Sequence, residues 1–260
     1  MNVASAALAA PLANQGVAVN HVDISARALA PLGNGVPLRI MPLGASITYG
    51  QASSTGNGYR LDLRAQMITH NPTNMVGSRQ AGQMRDNDVE AWPGARIDEI
   101  HARSVAPSAD NNPVARWRPN VVLINAGTND ATQRHDIYAA GARMEAMVRD
   151  IWALSPRAVV VLSTLVLNKR PRAERSVVVI NRQLRDVAAR LAAEGRKIVL
   201  AEMHGDRGPD GDDLADDTHP NDVGYRKMAN VWAAGLVEAS GRGWLQPPEK
   251  VAGVPDDGAA

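Results

Sequence analysis

Four short, near-continuous apolar runs constrain this chain more than any other feature. They are Leu38–Leu43 (LRIMPL), Asn120–Ala126 (NVVLINA), Ala158–Leu165 (AVVVLSTL) and Lys197–Ala201 (KIVLA). Runs of this length and β-branched content read as strands, and their lack of alternation means burial on both faces. The first two stop at Gly44 and Gly127. Asn74–Gly77 is a briefer fifth candidate. Helical spacing fills the intervals. Tyr59–His70 sets Leu61, Ala65 and Ile68 on one side. Ile137, Met144, Met147, Ile151 and Leu154 share a face, as do Val177, Ile180, Leu184, Val187 and Leu191. Tyr225, Met228, Trp232 and Leu236 mark a last helix. Strand alternating with helix predicts an α/β fold, a doubly wound parallel sheet with right-handed crossovers.

Composition narrows the chemistry. The 260 residues include no cysteine, which excludes disulfides, a cysteine nucleophile, thiolate zinc sites and iron–sulfur clusters. No apolar run approaches the roughly 18–20 residues of a membrane span. A formal net charge of +1 gives no nucleic-acid footprint. Residues 1–36 read as a signal-like segment and linker. Val3–Ala13 is small and apolar, although no Lys or Arg precedes it, and Asn14–Gly35 is rich in Ala, Asn, Gly and Pro. The expectation is a secreted protein with one domain over 37–245 and a flexible tail over 246–260.

In such a sheet, ligands bind beyond the carboxyl ends of the strands. Three segments bring useful groups there. Gly44-Ala45-Ser46-Ile47-Thr48-Tyr49-Gly50 puts a serine on a strand-to-helix turn; taken alone, that serine is as ordinary as a helix cap. Gly127-Thr128-Asn129-Asp130 follows the strongest strand and offers an amide N–H to a developing oxyanion, or simply a turn. Asp216-Asp217-Thr218-His219-Pro220 sets a carboxylate three residues ahead of a histidine, where it can hold one tautomer; a capping turn opened by Pro220 is the plain alternative.

Together and in this order these segments resemble the SGNH (GDSL) hydrolase superfamily. RIMPLGASITYG, NGYRLDLR, NMVGSRQAGQM, DNDVEAWPG, INAGTND and THPNDVGYRKMANVW look like carbohydrate esterase family 3, which includes acetylxylan esterases, and particularly its fungal branches. The resemblance implies a three-layer α/β/α sandwich on a mostly five-stranded, flavodoxin-like parallel sheet. It implies Ser46, Asp216 and His219 as the catalytic residues. The oxyanion hole would be Ser46, Gly94 and Asn129, with Tyr49 and Trp92 beside the substrate. It implies no metal or other cofactor, and a monomer acting on a small ester or acetylated polysaccharide, without nucleic-acid or membrane partners. The sequence departs from the family at Ala45, where Asp is usual and helps hold the turn, and at Ala91, within a common E-G-x-x-G, where a methyl would crowd any left-handed position.

The activity so implied is hydrolysis of short acyl esters, acetyl above all, from carbohydrate through an acyl-serine. A lipase, arylesterase or thioesterase on the same scaffold is the enzymatic alternative, and a catalytically lapsed carbohydrate-binding module is the non-enzymatic one. His204, with Glu202 and Asp206 nearby, is a rival base outside a D-x-x-H setting, and His135 is a candidate for the site wall or a surface loop. The six aspartates of Asp206–Asp217 match a calcium loop poorly and read as a solvated acidic loop, and Lys169–Arg175 as a solvated basic one.

Overall fold

The apolar runs become the strands of one sheet. In this computed structural model, which describes residues 31–105 and 112–256, they are β1 (Leu38–Gly44), β5 (Val121–Asn125), β6 (Val159–Ser163) and β7 (Ile198–Ala201). Three further strands join them: β2 (Thr73–Met75), β3 (Arg79–Gln80) and β4 (Asp88–Ala91). The order across the sheet is β3-β4-β1-β5-β6-β7, with β2 also on β1. β2 pairs with Leu38–Ile40 and β4 with Leu43–Gly44, so these two strands occupy one side of β1 in succession. Every pairing is parallel except β3 with β4. Five parallel positions result, as the resemblance implies.

Eight α-helices among the described residues surround the sheet: α1 (Ser46–Tyr49), α2 (Tyr59–Met67), α3 (Ile97–Ser104), α4 (Pro113–Trp117), α5 (Thr128–Gln133), α6 (Ala140–Leu154), α7 (Pro171–Ala193) and α8 (Asp222–Gly241). β5 shows why the runs do not alternate in polarity. Val122 and Ile124 pack into the core beneath α3, α6 and α7, while Val121 and Leu123 pack into the core beneath α2 and α8. Both faces of the strand are dry. No helix among the described residues is long and apolar enough to cross a membrane.

Four local expectations are corrected. The helix over Tyr59–His70 forms, but Leu61 and Ile68 are exposed, and its buried face is Tyr59, Arg60, Leu63 and Met67. The basic stretch Lys169–Arg175 is not all loop, because Pro171 opens α7 with its fixed φ at the first turn. The linker ends earlier than expected: Leu32 is buried, and its N–H donates to Asn71 Oδ1. Val3–Ala13 and the first part of the linker lie outside the described residues. Residues 246–256 are also docked, unlike the flexible tail expected there. Asn120 Nδ2 donates to Gln246 O, Arg39 Nη1 to Glu249 O, and Asn74 Nδ2 to Pro255 O. Arg39 is buried and needs acceptors such as Glu249 O, and Asp256 pairs with it at 2.7 Å.

Candidate active site

β1 ends at Gly44, and Ser46 begins α1 two residues later. The turn is tight enough to require Gly44: a Cβ there would lie 2.3 Å from Thr48 Oγ1 and 2.4 Å from Asn125 O. Ser46 is buried to 7 % exposure, and its N–H is one of the first-turn donors that a helix leaves without an internal partner. Ala45 is buried in the core beneath α6 and α7 and offers the turn no side-chain hydrogen bond.

The second component arrives from the loop before α8. His219 Nε2 lies 2.9 Å from Ser46 Oγ, and His219 Nδ1 lies 2.8 Å from Asp216 Oδ2. Asp216 Oδ1 accepts from the N–H groups of Thr218 (2.7 Å) and His219 (2.8 Å). Burial pushes the Asp216 carboxyl up, but these bonds and the His219 ring outweigh it and hold the group below the usual carboxylate range. The loop is pinned at its base, where Ala215 N donates to His219 O and Asn221 N to Asp213 O. Asn221, rather than Pro220, caps α8 through Val223 N and Gly224 N. Its outer side is held by the segment before α7: Asn168 Nδ2 donates to Thr218 Oγ1 (2.9 Å), Lys169 N to Asp217 O (2.9 Å), and Arg170 pairs with Asp217 (2.8 Å). Sequence reasoning missed Asn168, which sits outside any periodic pattern.

The third component faces the same strand ends. Gly94 follows Pro93 in a turn closed by Ala95 N donating to Trp92 O, and its φ of +84° is one that other L-residues rarely adopt. Asn129 lies in the first turn of α5, and its amide spends one N–H on Ala95 O (2.9 Å). That bond orients the amide and leaves its second N–H. Asp130, fully buried, accepts from Ile97 N (3.0 Å) and pairs with Arg143 (2.9 Å), locking α5 to α3 and α6. Ala91 stands in β4 opposite Gly44 and outside the left-handed region, so the crowding expected there does not arise.

Tyr49 and Trp92 border this arrangement. Tyr49 closes α1, with the Arg79 guanidinium 5.7 Å from its ring centre, and Trp92 N donates to Gly44 O (3.1 Å). Both rings are half-buried, and both also pack within the fold. The rival base is not at Ser46: His204 Nε2 lies 2.6 Å from Glu174 Oε1. His135 stands 3.7 Å from Asp98. The acidic loop is neutralised in part by Lys227, which pairs with Asp210 and Asp213. No cluster of three or more His, Asp or Glu able to hold a metal occurs among the described residues.

A hydroxyl, an imidazole and a carboxylate in hydrogen-bonded series can activate the hydroxyl for attack on a carbonyl. Residues 43–227 match the GDSL-like Lipase/Acylhydrolase family. The chain belongs to that family. As a GDSL-family esterase or acylhydrolase, it shares its fold with a family 3 carbohydrate esterase from Clostridium thermocellum, at TM-score 0.67 and 22% identity over 79% of this chain and 98% of that one. A family 3 carbohydrate esterase from Talaromyces cellulolyticus matches at TM-score 0.63 and 19% identity over 79% and 99%. A multidomain esterase of Ruminococcus flavefaciens is 24% identical over 223 residues, 75% of this chain but 28% of that protein, so the GDSL-family chain spans under a third of that relative's length.

Proposed function

We propose that this chain is a serine esterase that removes short acyl groups, acetyl above all, from carbohydrate such as acetylated xylan. The observation that carries the reading is the series Ser46 Oγ to His219 Nε2 (2.9 Å) and His219 Nδ1 to Asp216 Oδ2 (2.8 Å) at the carboxyl ends of the parallel strands. Ser46 Oγ attacks the ester carbonyl while His219 takes its proton. Asp216 keeps the imidazole in the required tautomer and stabilises the imidazolium. The oxyanion is met by the Ser46 N–H, the Gly94 N–H and the free N–H of the Asn129 amide. His219 then protonates the leaving alcohol, and water repeats the sequence to release the acid. Tyr49 and Trp92 offer ring faces to a sugar. The carbohydrate part of the reading is supported by family 3 carbohydrate esterases among the fold's relatives, and its placement outside the cell by the apolar segment Val3–Ala13.

The test is hydrolysis of p-nitrophenyl acetate and p-nitrophenyl octanoate by the wild type and Ser46→Ala. The expected result is faster turnover of acetate, abolished by the substitution, followed by acetate release from acetylated xylan. Equal activity in the two proteins refutes the serine mechanism, and preference for octanoate refutes the short-acyl assignment.

A further inference from the structure

Ala45 gives the turn before Ser46 no side-chain hydrogen bond, yet Ser46 and His219 stand at hydrogen-bond distance. Something other than residue 45 holds the turn. Opposite it, on the buried face of α2, lies Arg60, with no exposed surface. Its guanidinium donates only to backbone carbonyls. Nε reaches Thr48 O (3.2 Å), and Nη1 reaches Asn87 O (3.1 Å). Nη2 reaches Tyr49 O (3.2 Å), Gly56 O (3.2 Å) and Ala81 O (2.9 Å). Arg60 forms no ion pair among the described residues. A buried charge with no direct ion pair is expensive, and its hydrogen-bond partners are the carbonyls it gathers.

Those carbonyls matter for Ser46. Thr48 and Tyr49 are the last two residues of the one-turn helix that Ser46 begins, and a helix leaves its final carbonyls without internal partners. Gly56 closes the far end of the loop that follows. Between Tyr49 and Gly56 that loop is bound to α8, the helix behind His219: Tyr225 Oη donates to Gln51 O (2.6 Å) and Ser54 N to Asp222 Oδ1 (2.9 Å). One guanidinium thus grips α1 and the far end of the loop joining α1 to the His219 side.

We infer that Arg60 is a positioning residue, whose guanidinium sets the turn that presents Ser46 to His219 from the side opposite the unassisted Ala45. The inference rests on the serine-esterase reading above. It predicts that changing Arg60 alters the rate at each competent site as well as the number of folded molecules.

The experiment is active-site titration with diethyl p-nitrophenyl phosphate on the full chain, for wild type, Arg60→Lys, Arg60→Met and Ser46→Ala. Ser46 Oγ forms the bond to phosphorus, His219 takes the serine proton, and p-nitrophenolate leaves once per competent site. kcat on p-nitrophenyl acetate is then expressed per titrated site. Lysine keeps the charge but has three donors for five carbonyls. The expected result is a kcat per site lowered about tenfold in Arg60→Lys and about a hundredfold in Arg60→Met, the scale of a small misplacement of reacting groups, with KM little changed. A merely structural role lowers the titre and the melting temperature but leaves kcat per site at the wild-type value, and that result overturns the inference. Should Arg60→Met fail to fold, Arg60→Lys alone decides. A wild type that releases no burst, with Ser46→Ala equally active, overturns the serine-esterase reading and this role with it. A titratable wild type beside an unaltered Arg60→Lys overturns the role alone.

Discussion

Glu90 offers a sharp test of the physical reasoning, because the strand that carries it also frames the site. It lies in β4 opposite Leu43, fully buried, and its carboxyl accepts from Ser78 N (2.6 Å) and Ser78 Oγ (3.1 Å). Burial pushes the group from its ordinary 4.5 up to about 7, against the pull of those two bonds. The folded protein therefore keeps a proton on Glu90 over a range where the unfolded chain has lost it. Where the folded state binds more protons, stability falls as pH rises. The contribution of Glu90 is thus most favourable below about 4.5, declines up to about 7 and is level above that. At about 1.4 kcal/mol per pH unit of displacement, the whole decline is about 3 kcal/mol. Glu90→Gln removes the titration and keeps the geometry, since its amide oxygen can accept from Ser78 N and its amide N–H can donate to Ser78 Oγ. Urea unfolding of both proteins from pH 5 to pH 8 isolates this one group, because every other titration is common to the pair. The expected outcome is a stability difference that shifts toward the glutamine variant by roughly 2–3 kcal/mol across that range. Curves that run parallel would mean that Glu90 is ionised in the fold at neutral pH, and the desolvation argument would be wrong.

Four further outcomes are expected. Asn129→Ala should lower kcat about 10²- to 10³-fold with a smaller change in KM, as measured on p-nitrophenyl acetate, if it removes a donor from the proposed oxyanion position. Asp216→Asn should lower kcat by about 10⁴-fold while the fold, read by circular dichroism, is kept. Because the Asp216 carboxyl is held below the usual range, its contribution to stability is present above that range and lost as pH falls through its folded value, so acid unfolding of Asp216→Asn should be less steep. Truncation after Leu245 removes Glu249 O and Asp256 from the buried Arg39 and should cost about 1–3 kcal/mol, read as a lowered melting temperature.

The sheet was legible because its central strands are buried on both faces, which leaves an unmistakable apolar run. β3 and β4 were not, since Arg79 and Gln80 are exposed and Asp88–Ala91 carries two carboxylates. The segments that carry Ser46, Asn129 and His219 stood out in the sequence because they follow strands or precede a helix at the one sheet edge where a parallel fold gathers its loops, and the structure brings Ser46 and His219 together there. What remained hidden shares a physical cause. Periodicity assumes that buried positions are apolar, and it therefore rotated α2 onto Leu61, Ala65 and Ile68 when the helix in fact turns Arg60 inward. The same assumption conceals the burial of Glu90 in β4, Asp130 in α5 and Asn168 beneath the His219 loop, whose side chains all accept from backbone N–H groups. Such groups are costly to bury and hold backbone more rigidly than an apolar contact does, because a hydrogen bond has direction and a hydrophobic contact has little. A turn whose serine must stand at a fixed distance from a histidine on another loop has use for that direction. Some departures from the hydrophobic pattern, such as Arg39, anchor the tail instead, but on the reading proposed above Arg60 of α2, misread by pattern, holds the candidate site.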